Sequence, residues 1–435
     1  MKCIEDEIPF EVPEGWEWSR FSSVTINRDS ERKPISLKDR TDIEKTYDYY
    51  GASGAIDKVD DYLFSERLLL IGEDGANLVT RTKPIAFFAE GKYWVNNHAH
   101  CIDATDKNIL DFIALYINSI NLEKYITGAA QPKMNQDNMN SILIPFPPID
   151  EQIRISNYVN DLLDFIRVIN YEKEELISLI DETKSKILGL AIRGQLVPQD
   201  PNDEPASVLL ERISSEKEEL IKQGKIKRDK KESIIFKGED NSYYEKFYEG
   251  TIKCIDDEIP FDIPDTWEWC RLGHIFSHNT GKALNVSKTD GIMMSYITTS
   301  NLYWDHFILD NLKEMPFTEN EIDKCTVTKG DLLVCEGGDI GRAAIWMSDE
   351  NVMIQNHIHR LRPITQLNVR FYYFVFRLWK LQERIGGRGI GLQGFSSKVL
   401  HNMLVPLPPY YEQTRIVEFI DKIELYLSEI EKSLI

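Results

Sequence analysis

Two histidine pairs are the residues best spaced for chemistry in this 435-residue chain. His98 and His100 lie in VNNHAH (95–100), and His357 and His359 in IQNHIH (354–359). On a strand, side chains two apart share a face, a spacing that zinc can use. Neither pair has an evident third ligand. Asn97 and Asn356 stand beside them, which points to buried polar clusters joined by hydrogen bonds rather than to metal. Three other stretches resemble catalytic loops and fail on detail. PLPPY (406–410) approaches the D/N-P-P-Y/F loop that holds an extruded adenine, but Leu407 stands where an Asn or Asp must accept the amine, and FPPI (146–149) departs further. CEGGDIG (335–341) lacks the strand, glycine and acid spacing of a dinucleotide loop. TGKA (280–283) has Phe276 where a phosphate loop needs glycine, and Ala283 in place of Ser or Thr. These residues predict a chain with no catalytic apparatus, no metal and no cofactor of its own.

The elements that would position such residues occur twice. CIEDEIPFEVPEGWEW (3–18) returns as CIDDEIPFDIPDTWEW (254–269), with eleven of sixteen positions identical. IPFPPIDEQIRI (144–155) returns as VPLPPYYEQTRI (405–416). The offsets of the three echoes are 251, 259 and 261, so whole domains are duplicated, not short solenoid units. Each copy opens with two prolines in five residues, which forbids a helix. Trp16 and Trp18, like Trp267 and Trp269, are two apart, and the spacing predicts that each pair lies on one strand face and anchors the opening segment. LLLIGEDGAN (68–77) and DLLVCEGGDIG (331–341) read as a strand followed by a glycine turn, and residues 109–126 and 368–385 as helices. Each repeat is therefore α/β or α+β, about 150 residues long.

After each Pro-Pro-x-x-Glu-Gln the texture changes. Ile155, Val159, Leu162, Ile166, Ile169, Leu176, Ile180, Ile187 and Leu190 follow steps of four and three, with Lys173 and Thr183 as interruptions, and Ile416, Ile420, Ile423, Leu427, Ile430 and Leu434 do so with none. That is a heptad seam. Gly194 and Pro198 end the first helix, and 151–193 would run roughly 60 Å. A narrow apolar stripe requires a partner helix, and the other copy supplies one. The order domain, helix, domain, helix predicts an antiparallel coiled-coil pair holding two similar globular domains apart with pseudo-twofold symmetry. The expected segments are 1–150, 151–193, 194–253, 254–411 and 412–435, the last helix being short beside the first. The charged stretch 194–253 reads as a short helix followed by a flexible, solvated connector.

Bulk properties narrow the class. No apolar run reaches bilayer length, and Glu5, Asp6 and Glu7 preclude a signal peptide, so a cytoplasmic protein is expected. Six scattered cysteines without a C-x-x-C pair predict reduced, structural thiols. The net charge of −20 argues against nucleic-acid binding in bulk, but binding responds to the local field. Between 360 and 405 the charged residues are Arg360, Arg362, Arg370, Arg377, Lys380, Arg384, Arg388 and Lys398 against the single acid Glu383.

The duplicated domain, the two PPxxEQ helix starts, the segment LAIRGQLVPQDPNDEPAS (190–207) and the stretch 217–227 together resemble the specificity subunit of a Type I restriction–modification system, over essentially the whole chain. The resemblance implies that 1–150 and 254–411 are target-recognition domains, each reading half of a split sequence in double-stranded DNA. It implies that the helices fix the spacer between the halves. Two modification subunits carrying S-adenosylmethionine and methylating adenine would clasp the helices. Restriction subunits, consuming ATP with Mg, would join them. The chain itself would be non-catalytic.

Base readout needs Arg, Lys, Asn or Gln on exposed loops, and phosphate contacts need cations. In the second domain the best candidate is GGRGIGLQGFSSK (386–398), with Arg388, Gln393 and Lys398; Lys282 and Lys288 form a second stretch. In the first, TGAAQPKMNQDN (127–138) offers Gln131, Lys133 and Asn135, and the polar loop 27–40 offers Arg28, Lys33 and Lys38. Ile155, Leu162, Ile166, Ile169, Ile180, Ile187, Ile416, Ile420, Ile423, Leu427 and Ile430 are the predicted helix seam and partner-docking positions. The competing class is a non-catalytic coiled-coil scaffold joining two protein partners, which would show no salt-linked DNA binding at all.

Overall fold

A computed structural model describes residues 5–40, 44–128, 130–226, 228, 232–284, 290–385 and 395–434. The chain forms two units, Met1–Glu172 and Lys173–Ile435, with the boundary inside one continuous helix, Ile149–Ile192.

In the first unit, four antiparallel strands stand in the order Ile26–Asn27, Ala99–Asp103, Leu68–Gly72, Ala86–Ala89. Leu68 to Gly72 is buried throughout, as a strand covered on both faces must be. A second sheet runs Gly54–Val59, Tyr47–Gly51, Tyr93–Val95, its last pair parallel. The helix Asn108–Ser119 packs Leu110, Ile113 and Ile117 into the core with Leu69, Ile71 and Ile102.

The second unit repeats this order: Phe276–Thr280, Ile358–Pro363, Leu332–Cys335, Ala343–Ile345. A mixed sheet again contains one parallel pair, Ile292–Ile297 with Val352–Ile354. The helix Val369–Leu381 buries Phe371, Tyr372, Phe374, Phe376 and Trp379, which are core and not stacking platforms. The duplication read from the sequence is thus a duplication of topology.

Each copy is closed by its ends. Glu17–Arg20 pairs with Leu143–Phe146, and Glu268–Arg271 with Leu404–Leu407. The Glu of each Pro-Pro-x-x-Glu-Gln accepts the indole N–H of the opening tryptophan: Trp16 to Glu151 at 3.2 Å, Trp267 to Glu412 at 2.9 Å. The following Gln donates back to a proline carbonyl at 2.8 Å in both copies, Gln152 to Pro147 and Gln413 to Pro408. The tryptophans of a pair do not share a face. Trp16 and Trp267 precede their strands, outside the two-residue alternation, and meet Phe112 and Phe371; Trp18 and Trp269 meet Phe10 and Phe261.

The stretch 194–253, expected to be a short helix followed by a solvated connector, has the helix but is largely folded beyond it as well. The helix Ala206–Lys222 buries Ala206, Leu209 and Ile213 in the core of the second unit. Ser233–Lys237, Tyr243–Phe247 and Ile252–Cys254 form a sheet whose Ile235 packs with Ile255 and Trp269. Apolar residues three and four apart, and then alternating ones, survive within the charge-rich composition, and burial follows them. The long helix ends in a Schellman turn: Gly194 (φ +70°) donates to Ala191 O and Gln195 to Leu190 O. A Cβ at Gly194 would lie 2.5 Å from Pro264 Cγ, so glycine is required twice over, by dihedral and by space.

The predicted seam is covered at its ends and bare in its middle. Ile155 is half-buried against the first core, Ile180 is buried, and Ile187 packs on the second core. Leu162, Ile166 and Ile169 are 44%, 52% and 46% exposed, and every residue from 161 to 170 is exposed. In the closing helix Tyr410–Ser433, Ile416 and Ile420 are fully buried, Ile423 and Leu427 half-buried, and Ile430 exposed. Lys184 pairs with Glu431 at 2.9 Å, whereas Glu412, at the other end of that helix, meets Gln199. The two helices therefore run antiparallel within the second unit.

Candidate nucleic-acid interface

The strand Ala99–Asp103 places His100 in the middle of its sheet at 1% exposure. Its Nε2 faces Met134 O at 2.9 Å, and its Nδ1 faces Asp29 Oδ2 at 2.6 Å. Both neighbours are acceptors, a carboxylate and a backbone carbonyl. Met134 is the residue before Asn135, whose side chain caps the short helix Gln136–Asn140 by accepting from the Asn138 amide. The ring thus joins the two candidate loops of the first domain, 27–40 through Asp29 and 127–138 through Met134.

The second domain repeats the arrangement with other chemistry. His359, fully buried on Ile358–Pro363, directs Nε2 at Phe395 O at 2.6 Å. Phe395 precedes Ser396, which caps Ser397–His401. The Nδ1 of His359 accepts from Nε2 of His278 at 2.9 Å. Met134 and Phe395 are equivalent at the offset of 261, and His100 and His359 at 259.

Electrostatics separate the two clamps. Burial by itself would raise the Asp29 carboxyl, but the hydrogen bond and charge of His100, the Cys101 amide and Arg32 hold it below the usual range. Glu73 behaves likewise: burial opposes ionisation, while Lys133 and Arg32 outweigh it. Arg32 reaches Glu73 at 2.6 Å and Lys133 reaches it at 3.0 Å. In the second domain burial and the neighbouring His359 push His278 down to about 3, and burial also lowers His359. The first clamp is an ionic network and the second a neutral imidazole pair.

The predicted contact residues fall into three groups. Lys33, Lys38 and Lys398 are exposed, with no ion pair among the described residues, and Gln131 is exposed on its loop. Lys398 lines an open cavity of about 730 Å³ with Arg384, Lys253 and Trp379. Arg28, Lys133, Asn135 and Lys282 are engaged internally. Arg28 pairs with Glu31, Glu66 and Asp103 and lies over Phe64. Lys282, 8% exposed, binds Glu321 at 2.7 Å and Pro316 O at 2.6 Å. Lys288, Arg388 and Gln393 lie outside the described residues. Asp29, Glu73 and His278 were not singled out as site residues from sequence. The signal was present: Asp29 sits within a candidate loop, and Glu73 recurs as Glu336 in the paired strand-and-glycine motif.

Among the described residues no group of three His, Cys, Asp or Glu is placed to hold a metal ion. Cys101, Cys270, Cys325 and Cys335 are buried and free, and Cys254 is exposed and free. Among the described residues no helix is long and apolar enough to cross a membrane.

A doubled mixed-sheet domain, each copy sealed by an indole–glutamate contact at the start of a helix, defines a bipartite recognition architecture. The chain belongs to the family described as the Type I restriction modification DNA specificity domain, whose model matches residues 13–178 and 264–435. It is 25% identical to the Type I restriction enzyme EcoAI specificity subunit of Escherichia coli, across 96% of this chain and 79% of that protein. The EcoEI specificity subunit of the same organism is 26% identical, with 97% and 80% covered. The HsdS subunit crystal structure from Thermoanaerobacter tengcongensis shares the fold with a TM-score of 0.55 at 15% identity, covering 98% of this chain and 93% of that one.

Proposed function

We propose that this chain is the sequence-reading subunit of a Type I restriction–modification complex. The domains within 1–150 and 254–411 each read one half of a bipartite duplex target, and the helices set the spacer between the halves. The single observation that carries this is the duplicated family specificity domain, in which an equivalent buried histidine ties an inner strand to the residue before a capped helix in both copies. The bare apolar stretch of the long helix, with Leu162, Ile166 and Ile169 exposed, supports docking of modification subunits, two by the symmetry of the repeat. Restriction subunits would join through that assembly. Bond making belongs to the partners, which bring S-adenosylmethionine, ATP and Mg; this chain has no cofactor of its own and works in the cytoplasm.

Methylome sequencing of a strain with and without the gene tests the proposal. A split adenine-methylated motif that disappears on deletion supports it, and unchanged methylation rejects it. With the purified complex, affinity should fall steeply with salt, with a log–log slope near −0.9 per neutralised phosphate. A protein scaffold would show no such slope.

A further inference from the structure

We infer that the first unit carries an unfilled docking face for a partner polypeptide whose chemistry repeats that of residues 194–253: a turn bearing a glutamine and an aspartate, an amphipathic helix, and a strand bearing a glutamate. The face shares no residue with the loops proposed to read DNA.

The second unit shows the occupied form. Gln199 donates to Glu412, and Asp203 pairs with Arg415 at 2.6 Å, both at the start of the closing helix. The helix Ala206–Lys222 covers Gly273 and His274: Ser214 Oγ lies 3.0 Å from His274 Nε2, and Lys217 donates to Gly273 O at 3.3 Å. Glu245, on the sheet that follows, accepts from Nε and Nη2 of Arg271 at 3.0 and 2.6 Å. Ile235 of the same sheet packs on Trp269, which is 0% exposed. At the offsets of 251 and 261 the first unit has the same receiving residues without these partners. Glu151 holds its indole and has no second partner among the described residues. Arg154, the equivalent of Arg415, is exposed and forms no ion pair among the described residues. Arg20, the equivalent of Arg271, makes the matching contacts to Ser141 O and Glu7, at 2.6 Å each, as Arg271 does to Asn402 O and Glu258. Its Nε, where Arg271 meets Glu245, has no acceptor among the described residues. Ser22 and Ser23 are exposed where Gly273 and His274 are buried, Trp18 is half-buried where Trp269 is sealed, and Phe10 is 49% exposed. Apolar rings beside unmatched directional charges have the composition of a protein interface, and each charge becomes a strong hydrogen bond once its counterpart arrives. The sequence holds the segment once, and its Gln199, Asp203 and Glu245 are spent on the second unit. A second copy of the chain therefore offers no spare, and the charges call for a partner with one acid opposite Arg154 and another opposite Arg20.

The test uses the full chain and, as probe, a peptide of residues 194–253. The peptide should bind and slow hydrogen exchange in 16–24 and 151–156, leaving 267–275 and 412–416 unchanged. Arg154→Glu on the chain should weaken binding about tenfold or more, and Asp203→Arg in the peptide should restore it to within a few-fold. Arg154 is exposed, so thermal melts should show that variant as stable as its parent. Arg20→Ala on the chain and Glu245→Gln in the peptide should each weaken binding, and together no more than either alone. No binding at about 1 mM peptide, protection confined to other regions, or equal affinity for Arg154→Glu overturns the docking face. Self-association of the chain that protects 16–24 without peptide makes the occupant a second copy and overturns the partner. These readouts contain no DNA and are indifferent to the outcome of the methylation test.

Discussion

The two domains solve one mechanical problem with opposite electrostatics. In the first, His100 is flanked by Asp29 and Glu73, and Arg32 and Lys133 complete a network of charges. In the second, the equivalent ring meets His278, and the pair is held neutral by burial. The backbone carbonyl that each clamp secures occupies the same place. What a duplicated domain retains is therefore the tie between the strand and the residue before the helix cap, while the group behind the imidazole can be exchanged, because Nδ1 donates to a carboxylate when it carries a proton and accepts from a neighbouring ring N–H when it does not. The latches differ as well. Trp267 is 3% exposed and Trp16 half-buried, and Gln413 Oε1 accepts from the Asn368 amide at 3.0 Å, whereas Gln152 Oε1 is buried with no partner among the described residues.

The largest effect should separate the latches. Trp267→Ala removes a buried indole and leaves Glu412 Oε2 without its donor, Gln199 still holding the other oxygen; it should cost about 3–5 kcal/mol in denaturant unfolding of the second unit. Trp16→Ala should cost the first unit about half as much. Equal losses would mean that the burial difference has no energetic content.

The clamps come next. Asp29→Ala leaves His100 Nδ1 and the buried Cys101 amide without their acceptor and should destabilise the first unit by about 3 kcal/mol. His278→Ala removes one neutral hydrogen bond and should cost the second unit about 1–2 kcal/mol. Lys282→Ala, which breaks a half-buried pair with Glu321, should also act on stability, by about 1–2 kcal/mol, with little change in the salt dependence of DNA binding.

Acid should divide the units. His278 and His274 are held neutral in the folded second unit, down to about 3 and about 4, with burial the main cause of each. Their unfolded value is 6.5, so the unfolded chain takes up protons first as pH falls. Their stabilisation is complete above pH 6.5 and declines below it, by about 1.4 kcal/mol per pH unit for each independent histidine. In the first unit Asp29, Glu73 and Asp103 are lowered from 3.8, 4.5 and 3.8, so their contribution is present above those values and is lost only below them. In the second unit Glu268 and Glu412 are raised, chiefly by burial, and relieve part of the acid loss as pH approaches 4.5. Between pH 6.5 and 5 the second unit should therefore loosen first, as peptide-resolved hydrogen exchange corrected for intrinsic rates would show. Simultaneous loosening would remove the contrast between clamps.

The smallest effect on folding belongs to the exposed cations. Lys33→Ala, Lys38→Ala and Lys398→Ala should each change stability by less than about 0.5 kcal/mol. In the assembled complex each should flatten the salt slope of DNA binding by about 0.9 where the lysine meets a phosphate.

Particular residues show how far local chemistry could be read. The offsets of 251, 259 and 261 exposed the duplication, and the helices Asn108–Ser119 and Val369–Leu381 fall where apolar spacing put them. The end of the long helix was legible in Gly194 because a left-handed turn requires glycine. The folded sheet within 194–253 was masked by its charge-rich composition: Lys237 and Lys246 stay exposed while Ile235 turns inward and Glu245 is buried against Arg271. Arg28 and Lys282 looked like DNA contacts because composition does not reveal whether an acid from a distant segment, Glu66 or Glu321, has already claimed a cation.

Periodicity, turn chemistry and repetition act within a few residues, so the amino-acid order alone dictated two like domains, their helices and the absence of a complete catalytic motif. Which partner a buried histidine meets depends on strands and loops that are distant along the chain and adjacent only after folding. Packing therefore assigned His98 to Asp74 at the surface, His100 and His359 to the loop carbonyls, and the lysines to either solvent or internal ion pairs. A hydrogen bond needs atoms within about 3 Å, and no local spacing rule can bring such segments that close.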